Sequence, residues 1–357
     1  QQGLEAAGYS SDSALGHAYK ANIAEQTAGL PPQSLFMPPP TIVEQLLPSA
    51  QTIDRLAEKV DVAIVSLGRY SGEFVDRNAE DDFYLSDTEI TLLTKVSNAF
   101  HQQQKKVVVV LNVGGVVETA SWRDQVDAVL LAWLPGQEAG HAIADILSGQ
   151  VNPSGKLPTT FAVSLEDYPS MQNFPGVVLE EGQPKGREFD QIVDVKAAEV
   201  VYDDSIWVGY RAFNTRKQAH KQARRPSTAY PFGFGLSYTT FQYDDLRLSS
   251  QQFCEQLQID ITVTNTGAVA GKEVVQLYIA APEGGLVKPA MELKGFAKTR
   301  LLQAQESQTL SFGLIERDLA SFDPEANDWV AAAGDYQIHI GASSEDIRCR
   351  GHFEKTE

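Results

Sequence analysis

Three continuous apolar runs, each ended by glycine or proline, constrain the fold of this 357-residue chain more than any other feature. They are VDVAIVSLG at 60–68, KKVVVVLNVGG at 105–115 and DAVLLAWLPG at 127–136. Apolar runs rich in β-branched residues predict buried strands. The intervening segment SDTEITLLTKVSNAFHQQ, at 86–103, repeats its apolar residues with a helical period. This alternation predicts an α/β fold, a mostly parallel sheet sandwiched by helices.

The helix at 86–103 carries its own start signal. Ser86 and Glu89 have the spacing of a capping box, in which each side chain bonds the backbone N–H of the other residue. Its predicted core face is formed by Ile90, Leu93, Val96 and Phe100. A further helix is predicted at GHAIADILSG, 140–149, whereas GLEAAGY at 3–9 resembles the end of a helix. Because no strand pattern precedes that end, we expect the first strand of the sheet to be missing from this sequence.

The pattern changes after Phe241 to short strands with alternating apolar residues, separated by turn residues. This pattern predicts a small antiparallel β-sandwich. We therefore predict an α/β domain over 1–240 and an all-β domain over 241–357. The connecting stretch YPFGFGLSY, at 230–238, is rich in aromatic residues. These rings either pack between the two domains or complete the core of the first, and the sequence favours neither arrangement.

The charge of the chain restricts its partners. Asp and Glu total 47 against 29 Lys and Arg, a formal net charge of −18. Such a chain is repelled by nucleic acid and by anionic lipid, so we expect neither as a partner. No apolar run approaches the ~20 residues of a membrane-spanning helix. The opening QQGLEAAGYSSDS also lacks the pattern of a signal peptide.

Several chemistries lack their residue patterns. There is no G-x-S-x-G elbow, and VLNVGGVVE has neither the third glycine of a dinucleotide site nor the lysine of a P-loop. We interpret Gly114 and Gly115 as a tight strand-to-helix turn. No His or Cys cluster has metal-ligand spacing, so no metal or cofactor is expected. Cys254 and Cys349 are compatible with a disulfide, and at least as compatible with two independent buried thiols.

A carboxylate remains as the candidate for chemistry. Glu73 lies in RYSGEFVDR, 69–77, at the carboxyl end of the first predicted strand, where functional loops of parallel sheets gather. Tyr70 and Phe74 flank it and could desolvate it, which is how a glycosidase raises the pKa of its acid. From these residues alone, a solvated surface glutamate is the simpler interpretation.

Collinear motifs strengthen the catalytic interpretation. In order along the chain they are VAIVSLGRYSGEFVDR, VVVVLNVGGVVE, DAVLLAWLPGQEAGHAIADILSGQVNPSGKLPTTF, SLEDYP, NFPG, VGYRAF, YPFGFGLSYTTF, VTNTGAVAGKEVVQLYI, ELKGFAKTRL and GDYQIHIGASSEDIR. Together they resemble the C-terminal part of glycoside hydrolase family 3, β-glucosidase type. The resemblance implies an α/β-sandwich domain, a fibronectin type III-like domain, and a catalytic TIM barrel of which this sequence has no counterpart.

Residue by residue, the resemblance assigns the general acid/base role to Glu73. Arg69, Asp76 and Arg77 match positions expected to hold the loop through ion pairs and backbone contacts, not to act in catalysis. The family usually has glycine where this chain has Phe74, which puts the sugar preference on the leaving-group side in question. Tyr70 and Phe74 are candidate substrate contacts.

The resemblance implies one part of a retaining, exo-acting β-glucosidase that hydrolyses terminal non-reducing β-D-glucosyl residues. A barrel on another segment or chain would supply the nucleophilic aspartate, and this chain alone would be inactive. The partners expected are a β-glucoside or oligosaccharide and that barrel, with homo-oligomerisation left open. A secreted or periplasmic location is favoured over the cytoplasm. The alternatives are a β-xylosidase or exo-glucanase of the same family, or a non-catalytic module that binds carbohydrate or a partner. The predicted sandwich shows no evident row of exposed aromatic residues, which argues against direct carbohydrate binding.

Overall fold

The computed structural model describes residues 1–29, 44–69, 77–179, 185–188, 191–194, 197–215 and 227–356. By packing, the chain forms two compact units, Gln1–Asn152 and Pro153–Glu357. These limits describe packing, whereas the limits predicted from the sequence, 1–240 and 241–357, describe domains defined by sequence pattern. The latter remain a prediction.

The three apolar runs form a parallel sheet, as predicted. Its strands are β1 (Val62–Gly68), β2 (Lys106–Asn112) and β3 (Ala128–Leu131), in the order β1-β2-β3. The central β2 is buried over most of its length. In β1, Val65 and Leu67 are buried, but Val62 and Ile64 are 40% and 37% exposed. Within the described residues, β1 is therefore buried on one face only, although its sequence predicted burial on both.

Helices accompany this sheet in the first unit. They are α1 (Gln2–Ala6), α2 (Ser13–Thr27), α3 (Ala50–Lys59), α4 (Asp87–Gln102) and α5 (Ala139–Leu147). Helix α4 packs against β1, β2 and α3. Its predicted capping box is confirmed, since Glu89 N donates to Ser86 Oγ at 3.3 Å and Ser86 N donates to Glu89 Oε2 at 2.9 Å. Leu93, Val96 and Phe100 are buried as expected, and Ile90 is half-buried.

The second unit begins with short elements that lead into the sandwich. They are β4 (Phe161–Ala162), β5 (Val177–Val178), β6 (Lys185–Glu188), β7 (Gln191–Asp194), β8 (Ala198–Glu199), α6 (Tyr210–Asn214) and β9 (Thr228–Tyr230). The strands pair antiparallel as β4 with β9, β5 with β8 and β6 with β7.

The β-sandwich is confirmed. Its strands are β10 (Phe241–Leu248), β11 (Gln252–Phe253), β12 (Gln256–Asn265), β13 (Val274–Ala280), β14 (Glu292–Lys298), β15 (Ser307–Ile315), β18 (Gly334–Gly341) and β19 (Ile347–Lys355). One sheet has the order β10-β12-β15 and the other β11-β19-β18-β13-β14. Between β15 and β18 lie α7 (Glu316–Leu319) and the hairpin of β16 (Ser321–Asp323) with β17 (Asp328–Val330). Alternate residues of both sheets, such as Ile259, Leu277 and Ile338, are fully buried between them.

The aromatic connection divides its rings between the two arrangements left open by the sequence. Phe232 stacks on Tyr210, with centroids 4.8 Å apart, and Tyr210 meets Tyr278 of β13 edge-on at 5.9 Å. Tyr230 and Phe234 instead stack on each other at 5.1 Å. The first pair thus covers the face of β13 that points away from the sandwich core, and the second packs with Phe161 in the region that precedes the sandwich.

A buried amide fixes this connection to the sandwich. Gln276 Nε2 donates to the carbonyls of Gly233 and Ala342, at 3.1 and 2.7 Å, and its Oε1 accepts from Tyr278 at 2.6 Å. Gly233 has φ +81°, and a Cβ there would lie 2.0 Å from Gln276 Oε1. Only glycine meets both requirements at this position.

Both cysteines are free thiols; Cys254 is exposed and Cys349 half-buried. None of the helices in the described parts of the chain combines the length and apolar character needed to cross a bilayer.

Candidate active site

The candidate loop joins the carboxyl end of β1 to the approach to α4. Glu73, Tyr70, Phe74 and Asp76 all fall within 70–76, outside the described residues. The structure describes the frame around this segment, which consists of Arg69, residues 77–89 and residues 112–118.

Arg69 anchors the N-terminal end of the loop. Its backbone N–H donates to Asn112 O at 3.1 Å, which continues the pairing of β1 with β2. Its guanidinium forms a two-point ion pair with Glu89, at 2.8 and 2.7 Å, and donates to the carbonyl of Asp82 at 2.9 Å. The side chains of both ion-pair partners are about nine-tenths buried, at 9% and 10% exposed. Such a bidentate, shielded pair fixes both position and direction.

Glu89 thereby joins the loop to α4. Burial alone would raise the pKa of its carboxyl, but hydrogen bonds from Arg69 and from the Ser86 backbone outweigh that effect, and the pKa is lowered. One carboxylate therefore caps a helix and holds the loop's arginine at the same time.

Arg77 anchors the C-terminal end. It bonds the carboxylate of Asp82 through Nε at 2.6 Å and Nη2 at 3.1 Å, and it donates through Nη1 to the carbonyl of Val116 at 2.8 Å. Asp82 belongs to a single π-helical turn, Ala79–Phe83, started by Asn78, whose side chain accepts from Glu80 N at 2.8 Å. The ion pairs and backbone contacts expected for Arg69 and Arg77 are both observed, whereas those expected for Asp76 lie outside the described residues.

Gly115 makes room for this second anchor. A Cβ at this residue would lie 2.4 Å from Arg77 Nη1. The chain after β2 runs through residues 113–122 without an α-helix and reaches only a short 3₁₀ turn, Arg123–Gln125, before β3. The interpretation of this glycine as part of a strand-to-helix turn is therefore wrong, because its role is to admit a guanidinium from a distant part of the chain.

Glu118 is a buried group of the frame that the sequence did not single out. It is 3% exposed, and its carboxylate accepts from Ser121 N and Ser121 Oγ, both at 2.7 Å. Its backbone N–H donates to the carbonyl of Phe83 at 2.8 Å, which ties the strand-end segment to the π-helical turn. These local bonds assign it a structural role. The spacing E-x-x-S is the only signal in the sequence for it.

The frame compensates the charge of both its arginines, and it also has exposed carboxylates such as Glu80 and Asp87. The guanidinium groups of Arg69 and Arg77 both face carboxylates, so their charges are compensated within the frame. Among the described residues, no group of three or more His, Cys, Asp or Glu side chains could hold a metal ion. The arrangement can hold both ends of a short loop at the carboxyl edge of a parallel sheet.

Comparison with protein families agrees with this architecture. Residues 8–238 match the glycosyl hydrolase family 3 C-terminal domain, and residues 273–344 match the fibronectin type III-like domain. The chain belongs to glycosyl hydrolase family 3.

Individual relatives make the similarity more specific. Beta-glucosidase A of Butyrivibrio fibrisolvens is 38% identical over 88% of this chain and 39% of its own length. The structure of beta-glucosidase 3B from Thermotoga neapolitana, in complex with alpha-D-glucose, superimposes with a TM-score of 0.83 at 42% identity. That match covers 99% of this chain and 45% of the other. An exo-alpha-(1->6)-L-arabinopyranosidase of Bifidobacterium breve is 35% identical over 82% of this chain and 34% of its own length. The chain thus spans less than half the length of these relatives.

Proposed function

We propose that this chain is the acid/base-bearing part of a retaining, exo-acting β-glucosidase that hydrolyses terminal non-reducing β-D-glucosyl residues. Glu73 is the general acid/base. A TIM barrel on another segment or chain supplies the nucleophilic aspartate and most contacts to the reacting sugar. Without that barrel, the chain hydrolyses nothing.

The observation that carries this proposal is the double anchoring of the loop that contains Glu73. Arg69 and Arg77 hold the two ends through six side-chain bonds of 2.6–3.1 Å to Asp82, Glu89 and Val116 O. A catalytic side chain must be held near its productive geometry by surroundings that are themselves fixed. A merely solvated surface loop would not require two arginines whose charges are compensated by ion pairs.

The chemistry follows from two carboxyl groups with different tasks. Glu73, protonated at first, gives its proton to the glycosidic oxygen while the barrel aspartate attacks the anomeric carbon. The resulting Glu73 carboxylate then takes a proton from the water that cleaves the glycosyl–enzyme bond. Retention requires the two carboxyl groups to lie roughly 5 to 5.5 Å apart. Neither step needs a metal or redox cofactor.

Leaving-group dependence tests the assignment. In an enzyme that joins this chain to its barrel, we expect Glu73→Gln to lower turnover of a glucoside with a poor leaving group by about 10²–10⁴-fold. Formation of the glycosyl–enzyme from 2,4-dinitrophenyl glucoside should change little, because that leaving group needs no proton. Added azide should restore turnover and give the β-glucosyl azide, since azide attacks without base catalysis.

Glu80→Gln is the matched control, because Glu80 is exposed on the same connection. Its activity should equal that of the wild type for all leaving groups. The same assays with an arabinopyranoside and with a xyloside as substrates measure the sugar preference. The arabinopyranoside is included because one relative is named for this sugar. Unchanged turnover of the poor-leaving-group substrate by Glu73→Gln would refute the assignment of the acid/base.

A further inference from the structure

A broad groove lies within the second unit, and its lining includes neither a residue of the proposed acid/base loop nor one of the frame described above. Its volume is about 1290 Å³, and it runs between the segment 203–211, the approach to β14, and the β16–β17 hairpin. Most small-molecule sites occupy about 300–1,000 Å³. The dimensions therefore suit an extended ligand.

Two exposed aromatic rings form one wall of this groove. Phe322 and Trp329 are directly opposite each other in the hairpin, with ring centroids 5.6 Å apart at an angle of 63°. They are 45% and 46% exposed. The guanidinium carbon of Arg317 lies 3.3 Å from the centroid of Trp329, which holds the indole in place. The sequence showed no row of exposed aromatics because these two become neighbours only through the hairpin.

The charges that line the groove balance. Four carboxylates face four cations, so the formal sum is zero on a chain whose net charge is −18. The acidic residues are Asp203, Asp204, Glu292 and Asp318, and the basic ones are Arg211, Lys288, Lys294 and Arg317. A site for a polyanion or polycation would carry an excess of the opposite sign. The balance therefore favours an uncharged ligand.

Some of these polar groups have unused hydrogen-bonding capacity. Glu292 accepts an ion pair from Arg211 at 2.9 Å and another from Lys294 at 3.3 Å. By contrast, the carboxylates of Asp203 and Asp204 and the ammonium of Lys288 have no hydrogen-bond partner among the residues that the structure describes. Burial lowers the pKa of Lys288, so its ammonium is partly stripped of water.

A sugar chain fits this combination of surfaces. Each pyranose ring has flat patches of C–H groups that can pack on an aromatic ring. Each hydroxyl can donate to a carboxylate and accept from an ammonium. A peptide is the competing occupant, because β14 is the outermost strand of its sheet in the described part of the chain and lines the groove. The unpaired carboxylates and the ammonium favour a ligand that presents many hydroxyl groups.

We propose that this groove binds an uncharged oligosaccharide, with Phe322 and Trp329 as stacking surfaces and Asp203, Asp204 and Lys288 as hydrogen-bonding groups. The binding does not depend on Glu73 or on the barrel. Its role is to hold a glycan against the second unit.

Isothermal titration of the 357-residue chain with cellopentaose, laminaripentaose and xylopentaose tests the proposal. We expect at least one neutral pentasaccharide to bind, and pentagalacturonate, which is of equal length but charged, to bind more weakly. Trp329→Ala and Phe322→Ala should each weaken binding about tenfold, through the loss of one buried aromatic face. Phe296→Ala is the matched control, since Phe296 is 70% exposed on β14 but does not line the groove. Unchanged far-ultraviolet circular dichroism and an unchanged unfolding temperature would show that each variant is folded.

Three results would overturn the proposal. They are the absence of binding to any neutral pentasaccharide at about 5 mM, equal affinity in Trp329→Ala, Phe322→Ala and Phe296→Ala, and tighter binding of the charged oligomer. Binding should also survive Glu73→Gln, and its loss there would move the sugar site to the catalytic loop. The titrations can therefore refute oligosaccharide binding in the groove without affecting the assignment of Glu73 as the acid/base, and the reverse is also true.

Discussion

Removing Arg69 should destabilise the first unit far more than the loss of one side chain from the surface. In Arg69→Met, the carboxylate of Glu89 stays in an environment where it is only 10% exposed, with its two bonds of 2.8 and 2.7 Å gone. Breaking such a shielded pair from one side costs about 3–5 kcal/mol. For a unit of 152 residues, this cost corresponds to a fall in Tm of roughly 6–20 °C.

The double variant Arg69→Met/Glu89→Gln makes the reasoning specific. The amide oxygen of the substituted side chain can still accept from the Ser86 N–H, but no uncompensated charge remains, so the double variant should be at least about 1.5 kcal/mol more stable than Arg69→Met. Arg55→Ala is the control, because Arg55 is half-exposed and 3.8 Å from Asp12, and it should cost less than about 1 kcal/mol.

Denaturant unfolding followed by circular dichroism measures the wild type and these three variants. If Arg69→Met lost no more stability than Arg55→Ala, or if the second substitution gave no recovery, the ion pair would not be the anchor described.

Three further outcomes are expected from the same structure. The pKa of Glu89 lies below its ordinary value of 4.5, so the ionised carboxylate stabilises the fold above that pH. This contribution is lost as the pH falls through the folded-state pKa. The free energy of unfolding of Glu89→Gln should therefore fall less between pH 6 and pH 3 than that of the wild type. Gly115→Ala should displace the guanidinium of Arg77, cost about 1–3 kcal/mol in thermal unfolding, and lower turnover of the barrel-containing enzyme, with both effects absent if the side chain can move freely. Gly233→Ala combines a positive φ with a contact to Gln276 and should cost about 2–4 kcal/mol in urea unfolding of the second unit; a smaller loss would show that Gln276 is not a fixed contact.

The strands and helices that depend on local sequence pattern were predictable from the sequence. The apolar runs specify their strands, the Ser86–Glu89 spacing specifies a helix start, and alternation specifies the sandwich. Pairing between distant residues was harder to infer. Gly115 accommodates Arg77, which belongs to another loop, and its own neighbours give no sign of that role.

The one-sided burial of β1 was not predictable for the same kind of reason. Val62 and Ile64 have the residue type of buried positions, but the packing of other elements decides which face is covered. The acid/base assignment of Glu73 came from the family resemblance, since a glutamate beside glycine and aromatic residues is chemically ambiguous. That assignment stays a prediction.

The contacts of Gln276 have a consequence for how this sequence can be cut and recombined. The family match ends at residue 238, yet the amide bonds Gly233 and Ala342, which lie on opposite sides of that limit. In a chimera joined at the limit, the carbonyl at position 233 and the absence of a Cβ there would depend on the other parent sequence, so the fit around this buried amide would no longer be ensured. If the exchanged segment began at Pro153, Gly233, Gln276 and Ala342 would all come from the same parent. The segment to exchange among relatives is therefore the whole packed unit, which is longer than the domain defined by sequence.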